Sequence, residues 1–214
     1  MKEILCYGDS NTWGYTPGTG ARYPYHVRWT GLLAEALGKD YHIIENGING
    51  RTTMRPEPDM PWRNGLDGLK YALFAGKQLD LVVLMLGTND LKTVDAAEAA
   101  RGAETLVRTM QNAAEVYGYG NAMSPIFRDG KGQILLVSPI HIGENAASEG
   151  VYFYREESLR FAACYEAVAK KTGVHFMDAA LYARPCPEEG THLTPEGHRA
   201  LAKAMEEKIR EIFA

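Results

Sequence analysis

Four short blocks carry side chains from which a catalytic site can be built. They are Gly8-Asp9-Ser10, Asn46-Gly47-Ile48-Asn49-Gly50-Arg51-Thr52-Thr53, Gly87-Thr88-Asn89-Asp90 and Glu189-Gly190-Thr191-His192. Serine is a weak nucleophile until a base takes its proton, and histidine suits that task because it titrates near neutral pH. Of the six histidines, only His192 has a carboxylate, Glu189, three residues before it in such a block. Attack on a carbonyl also places negative charge on oxygen, which backbone N–H groups and a side-chain amide can stabilise. Each block has a plain structural reading when taken alone. Gly-Asp-Ser-Asn is made of turn-forming residue types, His192 reads as a surface histidine at a helix entrance, Asn89 as a strand-end turn and Gly50 as a loop glycine. Their order and their places between the elements change that weighting.

Strand patterns alternate with helix patterns along the chain. Ile4–Tyr7, Tyr41–Glu45, Leu81–Leu86, Ile134–Val137 and Val174–Met177 read as strands. The third is apolar throughout, as expected of a central parallel strand covered on both faces. Val27–Leu37, Leu66–Phe74, Ala96–Tyr117, Glu156–Thr172 and Pro195–Phe213 read as helices, the last with Thr194 as N-cap and Pro195 at the first helical position. This alternation predicts an α/β fold with a parallel sheet and helices on both faces. Trp13–Gly18, Asn46–Asn64 and Pro139–Val151 read as loops, and Gly8 is expected to let the backbone turn sharply after the first strand. In a doubly wound sheet, the blocks following the strands converge on the crevice at the carboxyl edge.

The four blocks together resemble the SGNH, or GDSL-type, hydrolase superfamily, and the match runs from Ser10 to His192. The resemblance implies a three-layer α/β/α sandwich with a five-stranded parallel sheet, the flavodoxin-like arrangement of that superfamily, filling residues 1–214 as one domain. It implies Ser10 as nucleophile, His192 as base, and an oxyanion hole formed by Ser10, Gly50 and Asn89. The family usually has Asp three residues before the histidine. Here Glu189 stands there, which keeps the charge but adds a methylene, with Asp178 and Glu188 as rivals. Asp9 is read as a loop-holding residue through hydrogen bonds to backbone N–H groups. Val27-Arg28-Trp29-Thr30-Gly31, with Gly87-Thr88-Asn89-Asp90 and Lys92, is similar more narrowly to the arylesterase and acyltransferase/perhydrolase branch. Substrate-binding candidates are Trp13, Thr88, Lys92, His141 and Ile142, with Met54, Trp62, Tyr152 and Phe153 as further candidate walls.

The function expected is hydrolysis of small, short-chain acyl esters through an acyl-enzyme, with no cofactor and no metal. Transfer of the acyl group to an alcohol or peroxide shares the same first half-reaction. A flavodoxin-like ligand- or phosphate-binding module is the alternative of another class, disfavoured because the first loop has no GxGxxG or GxxxxGK[ST] pattern. A metal hydrolase using His192 and His198 would depart from HExxH spacing. The 214 residues suit one core, and the net charge of -4 argues against a nucleic-acid partner. No apolar run approaches the roughly 20 residues of a membrane span. Three cysteines without a CxxC pair read as free thiols in a reducing cytoplasm. A homo-oligomer is left open.

Overall fold

The structure, a computed structural model, describes residues 1–117, 125–144, 146–148 and 150–214. Positions 145 and 149 of the loop expected over Pro139–Val151 therefore lie outside the described residues. Five strands, β1 (Lys2–Gly8), β2 (Tyr41–Gly47), β3 (Leu81–Met85), β4 (Gln133–Ser138) and β7 (His175–Asp178), form one parallel sheet in the order β2-β1-β3-β4-β7. A separate two-stranded antiparallel pair, β5 (Ala147–Ser148) and β6 (Val151–Tyr152), projects from the loop after β4. The chain leaves β1 for the edge strand β2 and returns to β3 on the other side. The reversal of direction creates a crevice at the carboxyl ends of β1 and β3.

Side-chain alternation within the strands divides the core into two layers. Ile4 and Cys6 of β1, with Leu81, Val83 and Met85 of β3, face α2 (Trp29–Leu37) and α7 (Pro195–Phe213). Leu5 and Tyr7, with Val82 and Leu84, face α3 (Gly65–Gly76), α4 (Ala96–Tyr117) and α6 (Phe161–Thr172). A period of two therefore runs inside segments whose residues are all apolar, because both faces are covered. The expected three layers and five parallel strands are the ones observed.

Local departures have physical causes. The loop expected from Trp13 begins at Gly14, because Ser10–Trp13 form one helical turn, α1, closed by Gly14 in a left-handed conformation. Gly8 acts, as expected, through its missing Cβ, and its backbone is not left-handed. Glycine is needed because a Cβ there would lie 2.0 Å from Thr12 Oγ1, where α1 folds back on the strand end. The helix expected over Glu156–Thr172 is broken into α5 (Arg155–Ser158) and α6. At the break the Ser158 hydroxyl donates to Arg155 O (2.6 Å) and accepts the Ile142 N–H (3.0 Å). The helix expected from Val27 begins at Trp29, after a separate 3-10 turn over Tyr25–Val27.

One backbone position tightly limits the edge that carries the site. Gly87, between β3 and the 3-10 turn Thr88–Lys92, has φ +137°, and a Cβ there would lie 2.1 Å from the buried Tyr165 hydroxyl, which donates to Leu86 O at 2.7 Å. Gly87→Ala is expected to destabilise the protein by about 2–4 kcal/mol through overpacking and strain. Tyr165→Phe, which removes the atom the methyl meets, should make the double variant more stable than the two single losses predict when summed. Chemical denaturation of the three variants measures this, and simple additivity would count against the clash.

Candidate active site

The nucleophile turn is built by Asp9. Its buried carboxylate accepts the Asn11 N–H (2.9 Å), and its carbonyl accepts those of Thr12 (3.1 Å) and Trp13 (2.9 Å). These contacts use the N–H groups of α1 except that of Ser10, which is at the first helical position and has no intrahelical acceptor. Asp9 is thus a capping residue beside the serine. The Arg28-Trp29-Thr30-Gly31 segment braces the turn from behind. Trp29 Nε1–H donates to Asn11 O (3.1 Å), while Arg28 and Thr30 both engage Glu45 at the end of β2.

Ser10, His192 and Glu189 form one hydrogen-bonded line. His192 Nε2 lies 2.8 Å from Ser10 Oγ, and Nδ1 lies 2.7 Å from Glu189 Oε1. With Nδ1–H donating to the carboxylate, Nε2 is left to accept the serine proton. The second Glu189 oxygen accepts the backbone N–H groups of Thr191 (3.0 Å) and His192 (2.7 Å). The extra methylene lets one carboxylate hold both the ring and the main chain of the same loop. Burial alone would raise the Glu189 carboxyl, but its bonds to the His192 ring and to these N–H groups outweigh it, and the net displacement is downward. The rivals are engaged elsewhere. Asp178 accepts from Ser138 Oγ (2.9 Å) and Ala180 N–H (3.0 Å), and Glu188 lies 3.0 Å from the Cys186 thiol. His198 is also committed away from the line. It is fully buried, accepts the Trp29 N–H at Nδ1 (3.2 Å), and burial pushes it down to about 4.

The remaining donor candidates follow β2 and β3. Gly50 is buried with φ +79°, and among the described residues its N–H has no acceptor. The loop that presents it is stiffened by Arg51, which is 2% exposed. Its guanidinium donates to Gly8 O (2.9 Å), Asn46 O (2.6 Å) and Asn46 Oδ1 (3.0 Å), and lies 4.0 Å above the centre of the Tyr7 ring. Asn89 Nδ2 donates to Arg51 O (3.1 Å), which uses one of its two N–H bonds and fixes the direction of the other. Three donors thus stand at the ends of three adjacent strands, with no counter-charge required.

The substrate-wall candidates separate. Trp13 is half-buried under the Arg22 guanidinium (5.3 Å), and His141 is half-buried. Lys92 places its ammonium 5.7 Å from the Phe153 ring centre. Thr88 and Ile142 are both buried, at 3% exposure. Thr88 is buried at the carboxyl end of β3, beside Asp9 and Asn11, and Ile142 belongs with Phe153 to the core on the α4–α6 side. Met54 packs near Gly102 of α4, Trp62 lines a separate groove with Ile48 and Tyr71, and Tyr152 is exposed on β6. The sequence reading missed Tyr15, whose ring stacks on His192 with centroids 4.1 Å apart, and gave Arg51 no role. A hydrophobic pattern contains no signal for either contact.

The chain belongs to the GDSL-like lipase/acylhydrolase family, whose model matches residues 6–200. It is therefore a carboxylic ester hydrolase by family, and its described helices include none long and apolar enough to cross a membrane. Among solved structures it is similar to Est24, a carbohydrate acetylesterase from Sinorhizobium meliloti, with 34% identity, 100% of each chain covered and a TM-score of 0.88. It is likewise similar to the M. smegmatis aryl esterase, with 34% identity, 99% of each chain covered and a TM-score of 0.86. No curated protein matches the chain.

Two buried carboxyls beside the site titrate late. Burial pushes Asp9 up to about 6, against the Asn11 N–H and the charges of His192 and Arg51. Burial likewise pushes Asp90 up to about 6, against bonds from Thr53 Oγ1 (2.6 Å) and Thr53 N–H (2.9 Å). Between the usual carboxylate value near 4 and about 6, the folded chain retains protons that the unfolded chain has lost. The contribution of each group to stability is therefore fully present below about pH 4 and is lost as pH rises through about 6. Asp90→Asn can keep both Thr53 contacts without the buried charge. Its melting temperature is expected to equal or exceed that of wild type at neutral pH and to vary less across this window, as read by melting curves at stepped pH. A wild-type curve that rises through the window, unchanged by the substitution, would refute the assignment.

Proposed function

We propose that the protein hydrolyses small carboxylic esters, with acetyl and other short acyl groups preferred, through an acyl-enzyme on Ser10. The observation that carries this reading is the hydrogen-bonded line from Glu189 through His192 to Ser10, at 2.7 and 2.8 Å. Ser10 Oγ attacks the carbonyl carbon as its proton passes to His192 Nε2, and the imidazolium formed is stabilised by Glu189. The oxyanion of the tetrahedral adduct accepts hydrogen bonds from the Ser10 and Gly50 N–H groups and the Asn89 amide. Collapse breaks the bond to the leaving alkoxide, which takes the proton from His192, and the ester carbon remains on Ser10. Water then attacks the acyl carbon as its proton passes to Nε2, and collapse breaks the bond to Ser10 Oγ, which takes back the proton from His192 as the acid is released. Short acyl groups are supported by the Trp13 and Tyr15 rings packed beside His192, and by the likeness to an esterase named for acetyl substrates.

Ser10→Ala is expected to abolish both fluorophosphonate labelling and turnover. Glu189→Gln should lower kcat strongly, since the analogous change in a serine protease costs about 10⁴, whereas Glu189→Asp should retain much of the activity and Asp178→Asn should be mild in variants of matched melting temperature. Turnover by folded Ser10→Ala at the wild-type rate would remove the serine mechanism. A second panel, of 4-nitrophenyl esters graded by acyl length, should give the highest kcat/KM at acetate to butyrate; a higher value for a soluble long-chain ester would overturn the short-acyl reading.

A further inference from the structure

Asn11 follows the serine, and nothing in the mechanism so far uses its side chain. It is 4% exposed. Its Nδ2 donates to Thr191 O (3.1 Å) and its Oδ1 accepts the Leu193 N–H (3.0 Å). These two groups belong to the residues on either side of His192, so a single amide grips the base loop at both shoulders of the base. The partners fix the orientation of the amide, since a carbonyl can only accept and an N–H can only donate. Among residues with a side chain of this length, only Asn carries one donor and one acceptor at this spacing: Asp lacks the donor and Leu lacks both.

The other ties of the base loop run to different neighbours. Cys186 N–H donates to His192 O (2.7 Å), and Gly143 N–H to Gly190 O (2.7 Å). Besides the Ser10–His192 bond itself, the two Asn11 bonds are the hydrogen bonds that join the nucleophile turn to the base loop among the described residues. Asn11 is itself anchored, with its N–H on Asp9 and its carbonyl receiving Trp29 Nε1–H. A rigid strut therefore runs from the core tryptophan through the residue beside the nucleophile to the main chain on both sides of the base.

We propose that Asn11 is a positioning residue that sets the Ser10–His192 distance by clamping the peptide groups flanking His192, and that its amide acts on the rate of acylation rather than on substrate binding. The inference rests on the serine mechanism above, which Ser10→Ala tests separately. Misplacement of reacting groups by about 1 Å can cost about 10² in rate, and the Glu189 contact would still hold the imidazole ring relative to its own loop.

The test measures kcat, KM and the rate of fluorophosphonate labelling of Ser10 for wild type, Asn11→Ala and the isosteric Asn11→Asp, with melting temperatures determined for each. Asn11→Ala is expected to lower kcat and the labelling rate by about 10- to 100-fold, with KM within about threefold. Asn11→Asp, which keeps the bond to Leu193 N–H and loses that to Thr191 O, should also lower kcat and serves as the test where the alanine variant does not fold. In the His192→Ala background, Asn11→Ala should cost little further in labelling rate, because its effect passes through the base. Wild-type kcat in folded Asn11→Asp would overturn the proposal, as would a rise in KM that accounts for the whole loss of kcat/KM. An equal loss of labelling rate with and without His192 would also overturn it, while leaving the serine mechanism intact.

Discussion

The site depends on one contact of long reach, the 2.8 Å hydrogen bond between residues 182 positions apart in the chain. No local preference can bring Ser10 to His192. The parallel sheet does so by running β1, β3, β4 and β7 side by side with a common direction, so that the segments following them open on one edge. The apolar segments that fill both layers of the core are therefore the physical support for the nucleophile–base distance. The chemistry itself is confined to short segments that would be turns anywhere else.

Rigidity at this edge comes from groups that carry no part of the reaction. Arg51, Asp90 and Asp9 are buried charges: the Arg51 guanidinium bonds Gly8 and Asn46, the Asp90 carboxylate bonds Thr53 twice, and the Asp9 carboxylate bonds the Asn11 N–H. Burying a charge costs free energy unless it is hydrogen-bonded or paired. Here the raised Asp9 and Asp90 carboxyls and the downward displacement of Arg51 record that cost, desolvation being the first cause in all three. In return, Arg51 ties the ends of β1 and β2 together at Gly8 and Asn46, and Asp90 ties the turn after β3 to Thr53 in the loop after β2. Preorganisation of donors before charge develops is the feature that lowers a barrier of this kind.

Much of the architecture was legible from sequence because burial on two faces leaves continuous apolar runs such as Leu81–Met85, and because Thr194-Pro195 marks a helix start. Ala96–Tyr117 and Pro195–Phe213 were read with the boundaries observed. The break at Ser158 was not legible, since it depends on a hydroxyl shared with Ile142 across the fold. Gly8 was legible as a residue without a Cβ to clash, and the side chain that a Cβ would meet is Thr12. Ser10, Gly50, Asn89, Glu189 and His192 stood out through their blocks, whereas Tyr15 and Arg51 act through ring stacking and backbone carbonyls that no spacing rule encodes. Ile142, a candidate for the apolar lining of a ligand site, packs in the core cluster on the α4–α6 side.

The acid and the base sit on one short loop, and Glu189 binds the main chain of that same loop as well as the imidazole. That half of the site can take shape from nearby residues alone, while its other half waits for the chain to close over almost its whole length. Contacts of such sequence separation form late, because the entropy of loop closure must be met before they return anything. Recovery of turnover during refolding is thus a clock for the last long-range docking event, whereas far-ultraviolet ellipticity, dominated by α4 and α7, follows the earlier local steps.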